Sequence, residues 1–64
     1  KDYQGAISDY NKAIQMNSQY GFAFLNRGMA KELLRDQQGA CTDWNQAVQL
    51  GIEQGKNFLL DCKK

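Results

Sequence analysis

Residues 36–50 read DQQGACTDWNQAVQL, and residues 2–16 read DYQGAISDYNKAIQM. Laid over each other at a shift of 34, the two stretches coincide at Asp2/Asp36, Gln4/Gln38, Gly5/Gly39, Ala6/Ala40, Asp9/Asp43, Asn11/Asn45, Ala13/Ala47 and Gln15/Gln49. Close swaps fill several of the gaps: Ser8/Thr42, Tyr10/Trp44, Ile14/Val48 and Met16/Leu50. The match continues through Gly21/Gly55, Phe24/Phe58 and Leu25/Leu59. That makes eleven identities in the 29 pairs from Asp2/Asp36 to Ala30/Lys64, where unrelated sequences of average composition would share roughly one or two. A fixed period of this length marks a stacked-repeat architecture. The chain has 64 residues, so it holds just under two copies, fewer than the three or so that such arrays normally need.

Inside each copy the apolar residues follow a helical period. Ala6, Ile7, Tyr10, Ala13 and Ile14 fall at i, i+1, i+4, i+7 and i+8, which predicts a helix over 3–16. Asp2 is its candidate N-cap, and Asn17 is suited to a left-handed end. A second helix is predicted over 22–34, carrying Phe24, Leu25, Gly28, Met29, Ala30 and Leu33. The third, 37–50, follows an Asp36 cap, presents Ala40, Cys41, Trp44, Ala47 and Val48, and stops at Gly51. The fourth, 54–63, carries Phe58, Leu59 and Cys62. Short links force antiparallel neighbours. The expected fold is therefore all-α, with antiparallel helical hairpins stacked as a fragment of an α-solenoid. Ala6, Ala13, Gly28, Ala40 and Ala47 place small residues among the bulky ones, where helices must approach. Glycine inside a helix is unfavourable by about 0.5–1 kcal/mol relative to alanine. A neighbouring backbone crossing Gly28 would explain it; the other reading is a tolerated surface glycine.

Composition closes off several functions. Eight Lys+Arg against seven Asp+Glu leave a net charge of +1, too balanced to argue for nucleic acid or an anionic membrane. Histidine is absent, and with it the commonest general base and metal ligand. No apolar run is long enough to span a bilayer. A chain of this size buries only about 60% of the surface its unfolded form exposes, which leaves little core on which to build a catalytic cleft. Asp9 and Asp43 are copies one repeat apart, which reads as a structural role rather than a catalytic pair. The glycines form no phosphate loop. Lys12, Arg27, Lys31 and Arg35 alternate with acids and read as solvated faces. The expectation is a chain that is not an enzyme and uses no cofactor or metal.

The two cysteines leave two readings open. If helices three and four are antiparallel about a turn near residue 52, position 41 faces about position 63, so Cys41 and Cys62 lie at one level. A bridge would close a loop of about 20 residues, stabilise by roughly 3 kcal/mol and suit an exported protein. Two buried free thiols, packing as small hydrophobes, are the alternative and would leave a cytoplasmic location open. Without histidine the pair makes neither a zinc site nor a CxxC redox motif.

With these residues in place, the chain resembles the tetratricopeptide repeat, whose 34-residue helix–turn–helix unit has the pattern W-x2-L-G-x2-Y, then A-x3-F, then A and P. The central copy reads Phe24, Arg27-Gly28, Lys31, Ala40-x3-Trp44, Ala47 and, in the proline slot, Ile52. Asn26-Arg27-Gly28 is similar to the N-R-G variant common in bacterial members. The departures are Ser18 and Ile52 in place of proline, Lys31 in place of an aromatic, and Cys62 in the slot that Gly28 fills in the central copy. The resemblance implies one domain over 1–64, made of a half repeat (1–20), a full repeat (21–54) and a partial repeat or C-terminal cap helix (55–64). In that phase helix one lacks the partner that would precede it. The chain is then expected to be an excerpt of a longer array, a reading the missing initiator Met favours, or to have that face covered by another chain.

The resemblance also implies a function: a protein–protein interaction module that takes a partner peptide or helix in a concave groove. Carried over slot by slot, the groove would show Phe22, Asn26, Met29 and Leu33, then Lys56 and Leu60. Plain burial against the next helix is the competing reading for Phe22, Met29 and Leu33. Asn26 and Lys56 match slots that hold a C-terminal carboxylate in the carboxylate-clamp subgroup, although Leu60 stands near where a second cation is expected. The alternative function is a structural or capping segment that forms a homo-oligomer through the uncovered face of helix one.

Overall fold

A computed structural model describes residues 2–63; Lys1 and Lys64, the two ends of the expected domain, lie outside the described residues. The elements in chain order are α1 (Tyr3–Met16), α2 (Gly21–Leu33), α3 (Gln37–Gln49) and α4 (Gln54–Leu59), the last continued by a 3-10 turn over Leu60–Lys63. Among the described residues there is no strand. The fold is all-α.

Local chemistry explains where the helices begin. The Asp2 carboxylate accepts the Gly5 N–H at 2.8 Å, and Asp36 accepts that of Gly39 at 3.0 Å, so each satisfies a first-turn donor that has no partner inside its helix. The repeated glycine has a steric reason, because a Cβ at either position would run into the capping carboxylate.

The helix ends are closed just as locally. At the end of α2 the Asp36 N–H reaches back to the Lys31 carbonyl (2.8 Å), and at the end of α3 the Ile52 N–H reaches that of Ala47 (3.0 Å). This closure requires a left-handed residue between cap and return. Gly51 (φ +94°) supplies it after α3, and Arg35 (φ +67°) after α2. Only the second carries a side chain against the preferred geometry. Arg35→Gly should therefore raise stability by about 0.5–1 kcal/mol, read as a higher urea midpoint at unchanged slope. A lower midpoint would contradict the account.

Three expectations need correction. Asn17 is extended (φ −148°) rather than left-handed; its side-chain oxygen accepts the Gln19 N–H at 3.0 Å and turns the link locally. Leu34 and Leu50 cap α2 and α3 instead of ending them, and α2 begins at Gly21. The predicted fourth helix over 54–63 is α-helical only to Leu59. Winding at 3.0 instead of 3.6 residues per turn swings Cys62 by about 60° relative to a continued α-helix. There it is bonded to Cys41 of α3, with 5.9 Å between the Cα atoms.

Contacts fix the antiparallel order. Along α2 and α3, Gly21 meets Leu50 and Ile52, Leu25 meets Trp44, and Gly28 meets Ala40. Along α3 and α4, Val48 meets Gly55, Trp44 meets Phe58, and Cys41 joins Cys62. Leu25, Ala40, Trp44 and Ala47 form the buried core, with Phe24, Ile52, Phe58 and Leu59 packed against it. Trp44 is fully buried, stacks on Phe58 at 5.0 Å between ring centroids, and donates its indole N–H to the Leu25 carbonyl at 3.2 Å. Gly28 is the close approach that its place in the sequence implies. A Cβ there would lie 2.6 Å from the Trp44 Nε1 and 3.1 Å from the Ala40 carbonyl oxygen.

The disulfide ties the short α4 to this core across a sequence separation of 21. Loop-closure entropy at that length is worth about 3 kcal/mol. Reduction, or the Cys41→Ser/Cys62→Ser double variant, should lower Tm by roughly 15–20 °C in a domain of this size. A melting curve indifferent to reductant would show that the bridge constrains nothing.

Candidate partner-binding groove

α1 and α2 are joined by residues 17–20 and pack side by side. α1 has no fully buried residue, because α2 covers only one side of it. On the open side the two helices enclose a groove of about 250 Å³, walled by Tyr3, Ala6 and Tyr10 of α1 and by Asn26, Met29, Ala30 and Leu33 of α2. Met29 and Leu33 are 40% and 57% exposed, far more than large apolar side chains in a sealed core. Asn26 adds the polar handle in a wall that is otherwise apolar and aromatic.

Three of the six residues expected to line a groove, Asn26, Met29 and Leu33, come together here. Phe22 is 46% exposed on the same helix, one turn before Asn26, and lies outside this lining. Lys56 and Leu60 are also outside it. Lys56 is exposed on α4 and pairs with Glu53 at 3.1 Å, while Leu60 sits exposed in the 3-10 turn. Of the other wall, Ala6 and Tyr10 belong to the apolar stripe that the sequence predicts for the first helix, and Tyr3 is the residue that opens that helix. One signal could have identified it: Ala6 and Tyr10 are the repeat partners of Ala40 and Trp44, which lie under α2.

Outside the groove lining, where α2 meets α3, charge is organised by one buried carboxylate. Asp43 is 2% exposed and accepts Arg27 Nε at 2.8 Å and Nη2 at 2.7 Å, with Lys31 Nζ at 3.2 Å. Arg27 and Lys31 are thus not solvated, as their alternation with acids had implied; both point inward at Asp43. The hydrogen bonds to Asp43 raise the Arg27 pKa above its ordinary value, partial burial opposes this, and the Coulomb attraction of Asp43 adds to the rise. Arg27 therefore stays charged. Its Nη1 donates to the Asn11 side-chain oxygen at 2.8 Å, and its guanidinium lies 5.3 Å from the Phe24 ring centre, so one side chain links α1, α2 and α3. Lys31, where the repeat pattern has an aromatic, has its explanation in the same carboxylate.

Among the described residues no group of three or more His, Cys, Asp or Glu side chains is placed to hold a metal ion. No described helix is long and apolar enough to cross a membrane. No family model, no curated protein and no solved structure matches this chain.

Proposed function

We propose that this chain is a protein-binding segment of tetratricopeptide type, in which the groove between α1 and α2 takes an apolar helix or peptide from a partner and no catalysis occurs. The observation that carries this reading is the concave wall itself, where the exposed side chains of Met29 and Leu33 face Tyr3 and Tyr10 around a single amide, Asn26. Exposed apolar surface arranged as a groove favours an amphipathic helix over a charged ligand, since it withdraws apolar area from water along several turns. The 34-residue period and the Asn26-Arg27-Gly28 segment support the repeat type. The disulfide suits an oxidising compartment.

The test is a panel of amphipathic helical peptides selected on the wild-type chain and titrated against Leu33→Glu. Because Leu33 is exposed, its stability should change by no more than about 0.5 kcal/mol. Binding of groove-directed peptides should weaken by about tenfold or more, from the lost apolar contact and the buried charge. Peptides bound equally by both chains would remove the groove from consideration.

A further inference from the structure

The repeat within the chain reveals what the open side of α1 is shaped to receive. Ala40, Asp43 and Trp44 of α3 are all buried beneath α2. Their counterparts 34 residues earlier, Ala6, Asp9 and Tyr10, occupy the same face of α1, where Ala6 and Tyr10 are half-buried and Asp9 is exposed. The α2–α3 contact is specific in its chemistry. Gly28 of α2 lies where no Cβ fits between the indole and the Ala40 carbonyl, Arg27 and Lys31 grip Asp43, and Leu25 enters the core. Among the described residues Asp9 has no ion-pair partner.

We infer that Ala6, Asp9 and Tyr10 form a docking surface for a partner helix carrying Leu-x-Arg-Gly-x-x-Lys, antiparallel to α1. The glycine crosses Ala6 and Tyr10, the arginine and lysine pair with Asp9, and the leucine enters the groove beside Met29. This rests on the groove being a protein-binding site, and it names the occupant. Charge complementarity singles out such a helix. A second copy of this chain is a poor occupant, because its α2 is already committed to α3. The 3-10 turn after its α4 has Asp61 and Cys62 at the sequence positions equivalent to Arg27 and Gly28, which sets a carboxylate against Asp9 and a disulfide-bonded side chain where none fits.

The chain supplies its own probe. A labelled synthetic peptide with the sequence of residues 20–34 is titrated into the whole protein and followed by fluorescence anisotropy. Saturable binding is expected, weakened about tenfold by Asp9→Asn in the protein and similarly by Arg27→Gln in the peptide, since each removes a charge-assisted pair. Gly28→Leu in the peptide should abolish binding. Exchange of the peptide for the chain's own α2 on α3 would be indifferent to Asp9→Asn, and that result overturns the inference. So does an absence of saturable binding, or a dimer by sedimentation velocity that Asp9→Asn dissolves, which would place a second copy in the groove. If the 20–34 peptide fails while panel peptides lacking Arg-Gly bind and respond to Leu33→Glu, only this inference falls. If no peptide responds to Leu33→Glu, the groove reading falls as well.

Discussion

Trp44→Ala should destabilise the domain by about 3–5 kcal/mol, the range for deleting a buried large aromatic side chain. Three contacts are lost together: the stack on Phe58, the indole hydrogen bond to the Leu25 carbonyl, and the surface over which Gly28 crosses. The space cannot refill, since Gly28 has no side chain and Ala40 and Ala47 have only methyl groups to offer. A domain of this size has roughly 3–10 kcal/mol to lose. The variant is therefore expected to be substantially unfolded at 25 °C, with near-ultraviolet circular dichroism collapsed and the urea midpoint shifted far down. Tyr10→Ala, at the matching position on the open face of α1, is expected to lose only about 1 kcal/mol, because Tyr10 is half-buried. Equal effects at the two positions would mean that α2 does not cover α3 in the way described.

Asp43→Ala carries the second large effect, about 2–3 kcal/mol. Breaking a buried ion pair by removing one partner leaves uncompensated charge, and losses of 3–5 kcal/mol are usual. The expected value is lower here because the Arg27 and Lys31 side chains remain 19% and 23% exposed and can turn toward water. The internal control is Asp9→Ala. It changes the same residue in the same helical slot one repeat earlier, yet Asp9 is exposed and the change should fall within about 0.5 kcal/mol. Urea denaturation of the two variants side by side decides the matter, and comparable losses would remove the buried network from the account.

The contrast between Asp9 and Asp43 illustrates how much was legible in advance. Both sit in the same local sequence, Asp followed by an aromatic, and composition reads both as surface acids. Arg27, sixteen residues before Asp43, is the group that makes it a buried anchor. Helix period and links could not show that pairing, because it depends on α2 crossing α3 at Gly28. The cysteines were similarly half legible. Counting across an antiparallel turn put them at one level, but the choice between a bridge and two thiols depended on how closely the segment after Leu59 approaches α3, where the two Cα atoms lie 5.9 Å apart. Of the expected groove residues, Asn26, Met29 and Leu33 of α2 meet a wall from α1, whereas Phe22 of the same helix lies outside it, Lys56 sits on α4 and Leu60 in the 3-10 turn that follows.

Helix type, approximate helix limits, capping aspartates and the hairpin order could all be read from the chain, because each depends on interactions within about four residues or on a period that repeats. Which copy of a repeated side chain is buried, which cation meets which acid, and where an open groove is left could not. Those depend on which neighbour lies across each face, and matching residues on α1 and α3 acquire different environments because α2 covers one helix more completely than the other.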